Sequence, residues 1–107
     1  MSRPSNWPLS ATAARVLTPK FLLEALQKHP LTSGCYPTAM GHYPNAYGHF
    51  MRREQHDDNL LLFCTEGRGW VQTRAGRFSV NSGDTVILPR ALEHSYAADE
   101  LSPWTLY

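Results

Sequence analysis

From residue 49 onward, short apolar or alternating segments follow one another at intervals of roughly 8–12 residues, with glycine, asparagine or aspartate between them. Residues 77–80 alternate between apolar and polar, as in a strand with one buried face. This spacing predicts a sandwich or barrel of antiparallel strands. The predicted strands are residues 49–53 at an edge, 60–65, 70–74, 77–80, 85–88, 94–97 and 104–107.

Residues 60–65 form an apolar run, which is typical of a strand buried on both faces. The run 66–69 (Glu-Gly-Arg-Gly) is expected to reverse the chain into a hairpin, whose second strand begins at Trp70. We expect Trp70 to be buried for structural reasons rather than to stack on a ligand. Cys64, inside the apolar strand, is expected to be an inert buried thiol.

One segment has helical periodicity, with an apolar stripe that would cover the barrel, by default, or a second subunit. Thr18 is the predicted N-cap, Pro19 the first helical residue and Pro30 the stop signal. Residues 34–48, rich in glycine and proline, are predicted to be a loop. The stripe consists of Phe21, Leu22, Ala25 and Leu26.

Length and charge restrict the function. A chain of 107 residues forms one domain, and we expect an N-terminal arm over residues 1–17, with Trp7 as its large anchor, before a domain over residues 18–107. Ten Lys and Arg residues against nine Asp and Glu give a net charge of +1. This near-neutral chain lacks the basic footprint of an autonomous nucleic-acid-binding protein.

The cellular compartment can be predicted from the cysteine count and the apolar runs. Two cysteines, Cys35 and Cys64, are too few for a disulfide scaffold and are expected to be free thiols. No signal peptide is recognisable, and the longest apolar run, residues 60–64, is too short for a membrane span. We therefore expect a soluble, cytoplasmic protein without a membrane partner. Because residues 103–107 open a strand pattern at the last position, we expect the chain to be a truncated piece.

The segment from Gly83 to Pro89, followed by His94, resembles the second signature of the cupin β-barrel. Glycine provides the positive φ of a tight turn there, and Asp84 can hydrogen-bond to its own backbone. The first cupin signature would lie upstream, between Glu54 and Gly67.

Metal-dependent cupins place two histidines and a glutamate in the first signature and a further histidine in the second. Here only His56 and His94 match, while Glu54 stands at a histidine position and Leu60 replaces the carboxylate. Catalytic metal sites usually need three protein ligands, so no metal or cofactor is expected. The alternative hypothesis is a small metal-dependent cupin enzyme, an isomerase or dioxygenase, that uses Glu54, His56 and His94.

Several segments, in the correct order, resemble the N-terminal sensor domain of AraC-type transcription regulators. The resemblance covers about residues 31–107 and, more loosely, the preceding helix. The matching segments are 57–70 (an acidic turn, an apolar strand, Phe-Cys and Gly-Arg-Gly-Trp), 83–89, Glu93-His94-Ser95-Tyr96, 103–107 and 37–43.

This resemblance implies a non-catalytic, mainly β, cupin-like double-stranded β-helix (jelly-roll) barrel that binds a small-molecule effector, for example a sugar. It also implies a homodimer and a C-terminal helix-turn-helix region, absent from this chain, that contacts DNA. The arm over residues 1–17 would then be the element whose position the effector changes. A third hypothesis is a stand-alone carbohydrate-binding module.

The resemblance also implies which residues contact the effector. Arg52 or Arg53 and Tyr96 match ligand-contacting positions, with His94 inside the barrel or at its mouth. Arginine suits hydroxyl or carboxylate recognition because its guanidinium carries several donors. His42, Tyr43 and His49 bracket the glycine- and proline-rich segment, and from the residues alone this segment is either a lid over the pocket or a surface loop.

Overall fold

The computed structural model describes residues 12–107 of the chain. In this range the chain forms nine strands and one helix, with every paired strand antiparallel to its neighbour. The elements are β1 (Ala14–Leu17), α1 (Lys20–Lys28), β2 (Ala39–His42), β3 (Phe50–Arg53), β4 (Leu60–Glu66), β5 (Arg68–Thr73), β6 (Gly76–Asn81), β7 (Thr85–Leu88), β8 (His94–Ala98) and β9 (Thr105–Leu106).

Two sheets enclose the hydrophobic core. The larger sheet has the strand order β3-β8-β5-β6 and the smaller has the order β7-β4-β9. Trp104 is fully buried at 0% exposure and packs with residues of both sheets. This arrangement is the predicted mainly β, cupin-like barrel with one short helix. The core residues of the larger sheet are Val71, Val80, Tyr96 and Ala98, and those of the smaller are Leu62, Cys64, Leu88 and Leu106.

Strand β4 is buried on one face only, so the prediction for residues 60–65 was wrong in this respect. Leu62 and Cys64 are 4% and 0% exposed, whereas the intervening Leu61 and Phe63 are 58% and 38% exposed. The smaller sheet packs one face on the core, and no residue in the described range buries the other face. An apolar run therefore does not prove burial on both sides.

The predicted hairpin after β4 is a corner between sheets. Strands β4 and β5 belong to different sheets, so the chain crosses from one to the other instead of folding back on itself. Gly67 forms the corner with φ +69°, and a Cβ there would overlap the backbone of Pro103. Trp70 is only half-buried, on the outer face of β5, and not in the core as expected.

The turn between β6 and β7 follows the prediction. Gly83 has φ +92°, and the Asp84 carboxylate accepts a hydrogen bond of 2.8 Å from the backbone N–H of Asn81. Strand β7 then runs over the predicted residues Thr85–Leu88 and ends before Pro89.

The helix begins one residue later than predicted. Pro19 is the N-cap of α1, and the Thr18 hydroxyl donates to the backbone oxygen of Pro37 at 2.7 Å instead of capping the helix. No residue of α1 is buried, and Phe21 is 75% exposed. The expectation that the apolar stripe covers the barrel is therefore wrong for the residues described.

The segment expected to be a loop contains a strand. Strand β2 pairs with β1, which comprises the last residues of the predicted arm, and Ala14 stands opposite His42. The remaining arm residues up to position 11, including Trp7, lie outside the described range. Cys35 is exposed, Cys64 is buried and both are free thiols, as predicted. Between residues 12 and 107, no helix has the length and apolar character needed to cross a bilayer.

Candidate functional site

The inner faces of β3 and β8 bring three of the predicted site residues together. Arg53 stands directly opposite His94, and Met51 stands opposite Tyr96. Alternation along a strand places residues two apart on the same face. Tyr96 is part of the buried core, so Arg53, His94 and Tyr96 all face the barrel interior.

The Arg53 side chain is held by a carboxylate at the barrel wall. Its Nη2 lies 2.8 Å from Oδ1 of Asp58, and the side chain is 11% exposed. Burial disfavours the charged form of Asp58, but hydrogen bonding and charge from Arg53 and His56 outweigh this and lower its pKa. The Nε of Arg53 is buried and has no hydrogen-bond partner among the described residues.

His94 provides a second buried polar atom that has no hydrogen-bond partner among the described residues. Its Nδ1 lies 2.8 Å from the backbone oxygen of Leu92, so we assign the proton to Nδ1. Nε2 then carries a lone pair, and this atom is buried without a partner in the described part of the chain. Burial lowers the pKa of His94 despite the favourable contact with Leu92, which keeps the neutral ring dominant.

The residues of the metal hypothesis do not assemble a metal centre. The ring nitrogens of His56 lie 2.8 Å from the backbone oxygen of Asp58 and 3.0 Å from that of Leu92, so both are occupied within the protein. Glu54 is exposed and lies 3.4 Å from Arg52. Within residues 12–107, no three His, Cys, Asp or Glu side chains are grouped to hold one metal ion. The donor set therefore does not fit a catalytic metal.

Aromatic rings lie next to His94 inside the barrel. Tyr96 stacks on His94 with ring centroids 5.9 Å apart and lies edge-on to His49 at 5.6 Å. Tyr43 lies 5.4 Å from His49, so this predicted site residue joins the same interior cluster. Burial raises the pKa of Tyr96 to about 12, so its phenol stays protonated at neutral pH.

The remaining two predicted site residues lie outside this cluster. Arg52 is on the opposite face of β3 from Arg53, 3.4 Å from both Glu54 and Glu93. His42 stacks on Tyr107, with ring centroids 4.4 Å apart. Of the neighbours Arg52 and Arg53, only Arg53 faces inward, and of His42 and Tyr43, Tyr43 packs against the core.

Two residues of the site were missed or assigned other roles from the sequence. Asp58 belongs to the predicted acidic turn, and no role in the site was predicted for it, yet it pairs with Arg53 and His56. His49 was expected in a lid or a surface loop, but it is 4% exposed and accepts a hydrogen bond of 3.1 Å from Nε1 of Trp104. The sequence did contain a signal for Asp58. Arg53, His56 and Asp58 lie within six residues of one another, which is close enough for a local ion-pair network.

His49 makes the fold sensitive to acid. Burial lowers its pKa to about 4 from the ordinary 6.5, so between these values the unfolded chain binds a proton that the folded chain does not. Stability therefore falls as the pH drops through this window, by about 3 kcal/mol in all. A His49→Gln variant, whose amide oxygen can still accept from Trp104, should lose about 2 kcal/mol less than the wild type between pH 7 and pH 4.5.

Urea unfolding at the two pH values measures this difference. An equal loss of stability in the variant and the wild type would show that another group carries the acid sensitivity.

Comparison with known proteins gives two findings. Residues 37–107 match the profile of the AraC-like ligand binding domain. The whole chain is 46% identical, over 111 aligned residues, to the MmsAB operon regulatory protein of Pseudomonas aeruginosa. The chain spans 36% of the length of that curated relative.

Proposed function

The chain belongs to the family of AraC-like ligand-binding domains, and from this premise we propose that it binds a small-molecule effector inside the barrel. In this proposal it is the sensing part of a transcription regulator and not an enzyme. The lack of a suitable donor set at Glu54, His56 and His94 supports this choice over the metal-enzyme hypothesis.

One observation carries the proposal. The Nε of Arg53 and the Nε2 of His94 are both buried without a partner among the described residues, and the two residues are opposite each other in the sheet. Leaving a buried polar group unsatisfied costs about 1–3 kcal/mol. A ligand that satisfies both atoms would recover this free energy on binding.

The chemistry of the two atoms matches a hydroxyl group. The Nε–H of Arg53 is a donor, and the Nε2 lone pair of the neutral His94 is an acceptor. A hydroxyl oxygen can accept from the first and donate its proton to the second, whereas a carboxylate has no proton to donate. Because Asp58 already balances the charge of Arg53, a second carboxylate is not needed there. We therefore propose an effector with a hydroxyl group at this point.

The surroundings fit a small polar molecule with apolar surfaces. Tyr96 adds a protonated phenol and a ring face next to His94. Aromatic faces with a few convergent hydrogen-bonding groups are the usual lining of small-ligand sites. Sugars and other polyols present such a combination of hydroxyl groups and C–H surface.

We propose that DNA binding and the control of transcription are carried out by parts of the protein other than this chain. The relative is named for the regulation of an operon, and we propose a similar role for the protein that contains this chain. In this proposal two copies associate, and DNA is contacted by a helix-turn-helix region beyond the chain. The net charge of +1 supports the view that these 107 residues do not bind DNA themselves.

A thermal-shift screen tests the proposal. The purified chain is heated with sugars, polyols and hydroxy acids, each matched to its deoxy analogue, and with Zn²⁺, Mn²⁺ and Fe²⁺ as separate arms. A bound hydroxyl compound at about 100 times its Kd should add about 2.7 kcal/mol and raise Tm by roughly 10 °C. The deoxy analogue should have little effect. A large shift with a metal ion alone would instead favour the enzyme hypothesis.

A further inference from the structure

The outer face of the larger sheet contains a groove, whose lining also includes Glu93 and His94 around the start of β8. The register aligns Phe50, Ala97 and Trp70 in one row across β3, β8 and β5. The next row along contains Arg52, Ser95 and Gln72. In both rows the β8 residue is small and its neighbours are large. Ser95, which lines the groove, therefore forms a floor between the walls of Arg52 and Gln72.

The groove has the size of a small-molecule site. Its volume is about 440 Å³, and its walls are two strand spacings apart, roughly 10 Å. Sites for small organic ligands have volumes of about 300–1,000 Å³. The groove extends past Gln72 to Arg74 and Arg77, near the β5–β6 turn.

One end of the groove is aromatic. The rings of Phe50 and Trp70 meet edge to face, with centroids 6.3 Å apart. Phe50 is 48% exposed, and Ala97, which stands between Phe50 and Trp70 in the register, is 8% exposed. This end offers an apolar surface on which a flat ligand body can lie.

Positive charge lies directly beside this aromatic pair, and no carboxylate of the described residues forms an ion pair with Arg74 or Arg77. Arg77 donates from Nε and Nη2 to the Gln72 side-chain oxygen, at 3.1 and 2.8 Å, and its guanidinium lies 3.8 Å from the centre of the Trp70 ring. Both contacts are with uncharged groups. Arg74 has no ion pair with any described residue. Arg52, in contrast, is balanced by Glu54 and Glu93.

The contact with Trp70 and Gln72 also holds the Arg77 guanidinium in place. A fixed guanidinium loses less conformational entropy when it binds an oxyanion than a freely moving one. The groove thus combines an apolar end, a small-residue floor and an ordered cation. The Gln72 amide adds N–H donors, since only its oxygen is used by Arg77.

We propose that this outer groove is a second binding site, for a small organic anion with a carboxylate on a flat apolar body. The body lies against Phe50 and Trp70, and the carboxylate faces Arg74 and Arg77. This site differs in chemistry from the interior, where we propose that a hydroxyl group satisfies the atoms of Arg53 and His94.

NMR titration of the ¹⁵N-labelled chain tests the proposal, with phenylacetate as the probe and 2-phenylethanol as its uncharged match. The expected result is a saturable shift of the Trp70 indole N–H with phenylacetate, at constant ionic strength. Binding of 2-phenylethanol should be about tenfold weaker, because the alcohol lacks one charge-assisted interaction with the arginines.

Two variants and one control make the test specific. Replacing Arg74 and Arg77 together by glutamine should weaken phenylacetate binding at least tenfold. Ser95→Leu, which fills the floor without changing any charge, should abolish it. Arg90→Gln removes an exposed arginine outside the groove and should leave the affinity unchanged. An unsaturable Trp70 shift, or equal affinity in the wild type and the Ser95→Leu variant, would overturn the proposal.

Discussion

Replacing Arg53 by methionine is expected to weaken effector binding roughly hundredfold, because it removes a charge-assisted hydrogen bond worth about 1.5–3 kcal/mol. Methionine has a comparable length but no donor at the position of Nε. The His94 lone pair would then be left without the second half of the hydroxyl contact. Isothermal titration calorimetry with the hydroxylated compound selected by the thermal-shift screen measures this loss.

The neighbouring arginine provides the matched control. Arg52→Met removes the same group one position away, on the outer face, where the side chain is 58% exposed. Its affinity for the effector should remain within about fivefold of the wild type, since exposed ion pairs contribute at most about 1 kcal/mol. Arg53→Lys keeps the charge beside Asp58 but lacks the arginine Nε donor, so it should also bind weakly. Equal losses at positions 52 and 53 would contradict the inward orientation of Arg53.

Replacing Gly69 by alanine should destabilise the fold by about 3 kcal/mol or more, because overpacking a closed core has large costs. Gly69 lies on the inner face of β5, where a Cβ would overlap the Trp104 ring and the backbone oxygen of Ala97. Neither neighbour can move easily: Trp104 is fully buried, and Ala97 belongs to the adjacent strand. Thermal unfolding should show a fall in Tm of roughly 12 °C or more.

Gly34→Ala is the matched control for this prediction. A Cβ at Gly34 meets no atom within 4 Å, so the stability should change by only about 0.5 kcal/mol. A Gly69→Ala variant as stable as Gly34→Ala would show that β5 and Trp104 are not packed as described.

The sequence predicted most strands and the barrel architecture because strand periodicity and turn residues are local properties. The turn at Gly83 and Asp84 is an example, since glycine conformation and a short side-chain hydrogen bond decide it. The sheet in which each strand lies depends on distant pairings. The corner at Gly67 therefore resembled a hairpin, although β4 and β5 join different sheets.

The site was predicted only in part for a related reason. A β-strand separates neighbouring side chains onto opposite faces, but the sequence around β3 does not define which face is inside. Arg52 and Arg53 were therefore indistinguishable, and the cross-strand register with His94 and Tyr96 separated them. The ion pair of Arg53 with Asp58 depends on how the β3–β4 connection folds, which no periodicity describes.

The central claim is that a hydroxylated effector bridges Arg53 and His94 inside the barrel. The most direct measurement follows the ¹⁵N resonances of Arg53 Nε and His94 Nε2 while the effector is added to the labelled chain. We predict that both resonances shift with the same midpoint, that the Nε2 shift reports a new hydrogen bond, and that the Trp70 indole stays unchanged. Binding that moves the Trp70 indole but neither of these two nitrogens would contradict the claim.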